Sequence, residues 1–433
     1  MEKKAIVYGA GVSGLGAKKL LEKIGYEVTL VDDKCGIKKE EVVDKLSEYE
    51  IMVKSPGISF KNELVQKAVE IKMEIIDEIE LAYRNSNYKI IAITGTNGKT
   101  TTTTKMTELL NFAGYNAVYA GNIGNSFAEL VAENRNFDFV VLELSSYQLE
   151  AIDKFKPFIS MIINLTPDHL DRYGNLKDYY DAKFNLLKNQ SREDYTIVNL
   201  DDPEIVERYE RVSSFAGKMF MTKSEKPFAD LYVKDGLIMY KNEELMEVEK
   251  LGLKGVHNLE NVLFMIAAAK IIGIDNIKIK NFMYTVTGLE HRMEMFHQWG
   301  NVKFVNDSKG TNIDATLKAL EGEEENLYLI CGGKDKKLDL SPLAKLIAEK
   351  CKKLFLIGET SDKLENLVKS YGFNQEEIYN LKEIAVVVKK LRDILEKENS
   401  VEILFSPAAS SFDQFKSFEE RGKIFKELVK NQF

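Results

Sequence analysis

The 433-residue sequence predicts an α/β fold arranged as three domains in series. Three observations point to it. Short apolar runs alternate with helical patterns along the chain, which implies parallel sheets with crossover helices. Two of these runs lead into glycine-containing turns that open helices, one near residue 8 and one near residue 94. The chain is also too long for one ordinary core, and a length prior gives roughly three domains. Polar or glycine-containing stretches at Asn85-Ser86-Asn87 and at Thr285 to Gly288 set the expected boundaries, giving domains 1–86, 87–286 and 287–433.

In the first domain KAIVYG, EVTLVDD and IMVKSPGI read as strands. The second opens on the buried-type strand KIIAITG, followed by a loop and a helix that closes at a glycine. NAVYAG, DFVVLELS, FISMIINL and DYTIVNL are its further strands, and GVHNLENVLFMIAAAKIIG is a helix ending at Gly273. The third domain carries the strands VKFVND, NLYLICGG, KLFLIG and VEILFS, each followed by a loop and a helix.

Composition narrows the class. With 44% hydrophobic and 30% charged residues and 7 prolines, the chain reads as a soluble globular protein. A net charge of -8 argues against a nucleic-acid surface, which would need a basic face. Cys35, Cys331 and Cys351 are far apart with no C-x-x-C pair, and read as reduced core thiols rather than a disulfide or zinc framework. The N-terminal apolar run is cut by glycine after a few residues, so it reads as a strand and not a signal peptide. No stretch approaches the ~18 apolar residues of a membrane span. A cytoplasmic monomer is the expectation.

Two phosphate-binding turns carry the chemistry. In YGAGVSGLG, Gly9, Gly11 and Gly14 fall into the spacing G-x-G-x-x-G, and the next strand ends in Asp32. Strand, glycine turn, helix, strand and acid form a Rossmann-like dinucleotide signature, for which NAD is the default ligand. The second turn runs Thr94-Gly95-Thr96-Asn97-Gly98-Lys99-Thr100-Thr101. Its backbone N–H groups can cradle phosphates, Lys99 adds a cation, and the Thr100 hydroxyl can hold Mg²⁺, as in a P-loop-type ATPase domain. Ile93 stands where the strict pattern has its first glycine. A chain that uses ATP in its middle has little need of a nicotinamide at its start.

Further residues stand at strand ends, where open α/β sheets bind ligands. Glu143 ends the strand Phe139 to Leu142, and its carboxylate can complete an Mg²⁺ shell begun by Thr100. His169, in NLTPDHLDRYG between Asp168 and Asp171, is placed for metal or phosphate.

Together with GNIG, HNLEN, GLEHRMEMF, VNDSKGTN and SPAASSFDQFKSFEERG, these stretches resemble the Mur ligases of bacterial cell-wall synthesis, from Gly9 to Gly422. ELSSYQLE, NDSKGTN and DQFKSFEERG are similar to those of the member that adds D-glutamate to UDP-N-acetylmuramoyl-L-alanine at the expense of ATP. The resemblance implies a UDP-sugar site in the first domain, an ATP site in the central one and an amino-acid site in a Rossmann-like C-terminal one. The YGAGVSG turn would then hold UDP and not NAD, through Gly11, Val12, Ser13, Asp32, Ser55 and Gly57, with Asn122 and His169 also near the UDP-sugar. Asn258, Asn261, His291, Arg292 and Asp307 would join the second turn at ATP, with His291 stacking on adenine. D-glutamate would meet Lys309, Thr311, Lys336, Ser411 and Phe418. GGKDKKLD offers Lys334, Lys336 and Lys337, and Lys336 is chosen by alignment with Asp339 and Ser341-Pro342. Two Mg²⁺ are implied, one on Thr100 and Glu143 and a second on His169 and a carbamylated Lys183. Lys99, His169 and Lys183 are the expected catalytic residues, with Lys183 taken as a surface-facing helix lysine.

Three other readings compete on sequence. An NAD-dependent oxidoreductase leaves the G-K-T loop unexplained. Another Mur-type or folylpolyglutamate-type ligase would differ in the amino acid it adds. A nucleotide-gated binding protein would have no use for an acceptor-activating second metal site.

Overall fold

The computed structural model describes all residues except 1–2, 168–169, 213–215, 322–325, 336–337 and 397–399, and all side chains except also those of 170, 171, 256, 257, 314 and 321. Its strands form three sheets. The first contains β1 (Lys3–Tyr8), β2 (Tyr26–Val31), β3 (Ile51–Lys54) and β4 (Glu74–Asp77), all parallel in the order β2-β1-β3-β4.

The second sheet contains β5 (Lys89–Thr94), β6 (Ala117–Gly121), β7 (Phe139–Glu143), β8 (Ile159–Ile162), β9 (Tyr195–Asn199), β10 (Gly217–Thr222), β11 (Leu231–Lys234), β12 (Leu237–Tyr240) and β13 (Glu243–Glu247). Its order is β13-β12-β11-β10-β9-β8-β5-β7-β6, antiparallel only at β11–β12–β13. The chain leaves β5 toward β7 and β6, then returns to lay β8 on the other side of β5. That reversal opens a crevice at the C-terminal ends of β5 and β8, the usual ligand site of such sheets.

The third sheet contains β14 (Glu294–Trp299), β15 (Val302–Asn306), β16 (Leu327–Gly332), β17 (Cys351–Ile357), β18 (Ile378–Lys382) and β19 (Val401–Phe405), ordered β14-β15-β19-β16-β17-β18. Only the β14–β15 hairpin is antiparallel.

All twelve strand segments expected from the sequence are strands. Seven more were not expected: β4, the run β10 to β13, β14 and β18. They are short, half-exposed or edge pieces, such as IYNLK in β18, which lack the fully apolar run of a buried parallel strand. The third sheet accordingly holds an antiparallel edge hairpin that simple β–α alternation does not foresee.

Packing divides the chain into two compact units, 1–286 and 287–433. Within the first unit the two sheets share a core. Val7, Leu20 and Leu21 from the N-terminal sheet and its helix Val12–Lys23 cluster with Phe127, Val131, Val140 and Leu142 from the central sheet and its helix Phe127–Glu133. Burial here is favourable at roughly 25 cal/mol per Å² of apolar surface, which resists separation of the two sheets.

Cys331 and Cys351 are buried as expected, and burial pushes the Cys331 thiol up to about 12. Cys35 is not a core thiol. It is exposed, in the turn after β2 that the Asp32 carboxylate organises.

Candidate active site

The central turn is built by its own backbone. Thr94 ends β5, and Gly95 to Gly98 curve into the helix Lys99–Ala113. Gly98 caps that helix at φ +83°, and a Cβ there would come within 2.4 Å of Asn261 Oδ1, so only glycine fits. The helix start leaves its first N–H groups facing the loop, an anion site by geometry and dipole.

Asn164, from the loop after β8, fixes this turn. Its carbonyl accepts from Thr96 N at 2.9 Å, and its side-chain Oδ1 accepts from Asn97 N at 2.9 Å. Glu260 in turn orients Asn164, accepting from its Nδ2 at 3.1 Å and from Asn199 Nδ2 at 2.9 Å. Both residues lie inside the motifs NLTPDHLD and HNLEN, but nothing in those motifs marks them as supports of the turn. Hydrogen bonding to another loop leaves no trace in spacing.

Lys99 Nζ donates to Gly95 O at 3.0 Å and to Thr96 O at 2.8 Å. Lys183 Nζ donates to the same Gly95 carbonyl at 2.8 Å and lies 4.6 Å from the Tyr179 ring centroid. Lys183 is on the helix Leu176–Phe184 as expected, but it does not face solvent: it is 2% exposed. Its stem packs inward, and its amine reaches the phosphate turn.

Glu143 ends β7 in register with Ile93 of β5. Its side chain is buried, with Oε1 accepting from Asn122 Nδ2 at 2.9 Å, while Oε2 has no hydrogen-bond partner among the described residues. A buried carboxylate oxygen without a donor fits a cation ligand. Asn122 thus orients Glu143 in addition to whatever it offers a UDP-sugar. His169 lies outside the described residues. Arg172, three residues on, joins both carboxylate oxygens of Glu150 and donates to the Gly57 and Ile58 carbonyls of the first sheet's SPGI loop.

Asn261, buried, accepts from Thr102 Oγ1 at 3.2 Å and donates to Asn258 Oδ1 at 3.3 Å. The HNLEN helix is therefore tied to the helix that starts at Lys99. Thr100 and Thr101 stand in its first turn, and the Thr100 carbonyl accepts from Thr104 Oγ1.

In the first sheet a cavity of about 610 Å³ opens at the C-terminal ends of β1, β2 and β3, lined by Gly9, Asp32, Lys34, Gly57, Ser59 and Lys61 among others. A Cβ at Gly14 would overlap Gly9 O at 1.8 Å, which accounts for the third glycine of the fingerprint. Asp32 Oδ2 accepts from Ala10 N at 2.9 Å, and Oδ1 from Lys34 N at 2.9 Å. The Lys34 amide first, and then the Ala10 amide, hold this carboxyl below the usual range. Ser55 Oγ donates to Gly9 O at 3.3 Å. Gly11 and Val12 are exposed at the start of the helix, with Ser13 half-buried beside them.

The 287–433 unit gathers its own set. Asp307 is buried and accepts from Ser406 Oγ at 2.7 Å and Met293 N at 3.3 Å, and burial raises its carboxyl despite the Arg292 charge. His291 is 5% exposed, hydrogen-bonded to Asn306 Nδ2 at 2.9 Å, and burial lowers its imidazole. Its ring lies against Gly422, so it is packed into its own unit. Glu290, His291 and Glu294 cluster closely enough for a metal, but Lys426 Nζ bridges both carboxylates, at 2.9 and 2.5 Å.

Lys309 Nζ lies 5.7 Å from the Phe418 ring centroid, Thr311 follows in the same loop, and Ser411 is buried in the SPAASS loop. Lys336 lies outside the described residues. Beneath these loops sits Arg421, 1% exposed, which burial pulls down to about 10 and so leaves charged at neutral pH. Nothing in the spacing of the FEERG segment marks this arginine out.

A strand-to-helix phosphate turn, a carboxylate oxygen with no donor among the described residues and a buried lysine beside the turn fit a nucleotide-dependent enzyme, and comparison with known proteins names the kind. The chain belongs to the Mur ligase family: the Mur ligase middle domain matches residues 93–269 and the Mur ligase glutamate ligase domain residues 291–406. It is 48% identical over 432 residues to the UDP-N-acetylmuramoylalanine--D-glutamate ligase of Fusobacterium nucleatum, covering 99% of each chain. It is 39% identical to the protein of the same name from Caldanaerobacter subterraneus, covering 99% of this chain and 98% of that one. Among solved structures, the UDP-N-acetylmuramate-alanine ligase MurC of Thermotoga maritima matches in full with a TM-score of 0.62 at 17% identity. A Mycobacterium tuberculosis folylpolyglutamate synthase matches 79% of this chain and 92% of its own, also at 0.62, with 11% identity. These two likenesses show the fold.

Proposed function

We propose that this chain joins D-glutamate to the carboxylate of UDP-N-acetylmuramoyl-L-alanine, using ATP, in the synthesis of peptidoglycan precursors. The observation that carries the reading is full-length similarity at 48% identity to a ligase of that name, together with an intact phosphate turn. Domains 1–86, 87–286 and 287–433 would take the UDP-sugar, ATP and D-glutamate in turn. The protein would act as a monomer in the cytoplasm.

The acceptor carboxylate is a poor electrophile, so its oxygen attacks the γ-phosphorus, ADP leaves, and an acyl phosphate forms. The D-glutamate amine then adds to the acyl carbon, phosphate departs, and the amine loses a proton. Lys99 and the N–H groups of the turn hold and neutralise the phosphates, which is most of what phosphoryl transfer asks of a protein. Thr100 and Glu143 would hold Mg²⁺, which supplies charge neutralisation at the transferring oxygens. Lys183 as its carbamate, with His169, would hold a second. The burial of Lys183 and the Glu143 oxygen that has no donor among the described residues support this assignment.

The Gly9–Gly14 turn and the Asp32 region would hold UDP. Asn258, Asn261, Arg292 and Asp307 would position ATP, and His291 would shape that region from its packed place. Lys309, Thr311, Ser411 and the Phe418 backbone, with Lys336, would take the two D-glutamate carboxylates.

The test is ADP release with UDP-N-acetylmuramoyl-L-alanine and a panel of amino acids of both hands. Turnover with D-glutamate and little with L-glutamate is expected. Equal rates with L-alanine or a diamino acid would replace this reading with another ligase of the family.

A further inference from the structure

We propose that Arg421 is a positioning residue for the amino-acid substrate, holding in register three of the segments that carry the D-glutamate contacts. The inference rests on the D-glutamate reading given above for Lys309, Ser411 and Phe418. Arg421 Nε donates to Ser308 Oγ at 3.0 Å, one nitrogen of its fork to Ser308 O at 2.8 Å, and the other to Ala409 O at 3.0 Å. Ser308 Oγ itself donates to Phe418 O at 2.8 Å. One planar cation therefore ties together the residue before Lys309, the residue two before Ser411, and the first residue of the helix Phe418–Gln432.

The chemistry suits arginine and no other side chain. Its donors stand in a fixed fork, so three bonds to two different loops set both position and angle. A lysine carries the same charge but cannot hold that geometry. Recognition of a stereocentre needs both substrate carboxylates fixed at once, so a small shift between the loops weakens amino-acid binding directly. Asp307, the nearby residue assigned to ATP, takes its hydrogen bonds from Ser406 and Met293 and feels Arg421 only through its charge, which Arg421→Lys keeps. Disturbing Arg421 is therefore expected to separate amino-acid binding from nucleotide binding.

Arg421→Lys and Ser308→Ala test this in the full-length enzyme, with D-glutamate, ATP and the UDP-sugar varied in turn. The KM for D-glutamate should rise about tenfold in the first and about fivefold in the second, with the other two KM values within about twofold of wild type. Lys309→Ala serves as the companion. If it raises the D-glutamate KM while both network variants keep the wild-type value, Arg421 is structural only and the inference fails. A uniform fall in kcat with unchanged KM values overturns it too. If Lys309→Ala itself leaves the D-glutamate KM unchanged, the reading of this loop falls and the inference falls with it. Should Arg421→Lys not fold, Ser308→Ala decides alone, because it removes one hydroxyl and keeps the guanidinium.

Discussion

Lys183 shows how burial changes what one residue type means. On sequence it is a helix lysine; in the fold it is a buried amine beside the phosphate turn, donating to Gly95 O. Lys183→Ala should lower the rate about a hundredfold or more, by analogy with removal of a group that stabilises transition-state charge. It should also cost about 1–2 kcal/mol, since a buried hydrogen-bonded side chain is lost. Acetate should restore part of the rate by supplying the missing carboxylate oxygens. Near-full activity of the variant in CO₂-depleted buffer would remove Lys183 from the catalytic set. A second residue, Glu78, is buried beside Asp77 where the first two sheets meet. Burial, with Asp77 adding to it, raises the Glu78 carboxyl to about 8, and burial raises that of Asp77 to about 7. An acid with a raised folded pKa binds its proton more tightly folded than unfolded, so the stability it contributes is full below the unfolded value and is lost as pH rises through the folded one. The 1–286 unit should therefore lose stability between about pH 4 and pH 8, and Glu78→Gln should flatten that decline by on the order of 1 kcal/mol or more. Thermal unfolding followed across pH checks it; identical profiles for variant and wild type would show that Glu78 ionises freely.

At the scale of elements, the legible ones were those whose chemistry is local. KIIAITG is a strand because every residue but the first is buried between two neighbours, and its glycine turn is written in the residues themselves. The run β10 to β13 was not legible. GKMFMT, LYVK, LIMY and EELME are short and half-exposed, and only pairing with one another and with β9 makes them strands. The helix Phe418–Gln432 carries a different constraint. A Cβ at Gly422 would come within 2.4 Å of His291 Nδ1, and that ring is buried. Gly422→Ala should destabilise the 287–433 unit by about 1–3 kcal/mol, as overpacking of a filled site does. Trp299, the only tryptophan of the chain, lies on β14 and reports on this unit. Denaturant unfolding followed by its fluorescence should shift its midpoint downward; no shift would mean that the His291 loop yields without cost.

At the scale of the whole molecule, ligand choice separates a ligase from an oxidoreductase. A ligand at 100 times its Kd stabilises the folded protein by about 2.7 kcal/mol. UDP should therefore raise the melting temperature of the 1–286 unit, and NAD should leave it unchanged. The reverse outcome would return the YGAGVSG turn to a nicotinamide site. The Asp32 carboxylate is already engaged with the Ala10 and Lys34 amides, and so serves the turn itself.

By itself the sequence determined the α/β class, the two phosphate turns and the resemblance to Mur ligases, because glycine spacing and apolar runs act over a few neighbouring residues. It also placed Glu143 at a strand end and Lys183 on a helix. Only the tertiary structure decided that Lys183 is buried, that one Glu143 oxygen has no donor among the described residues, and that Asn164, Glu260 and Arg421 hold the loops. It also decided that the first two sheets share one core. Burial and hydrogen bonding between segments 21 to 113 residues apart depend on how the chain folds back on itself, and the periodicity of any single segment carries no record of that.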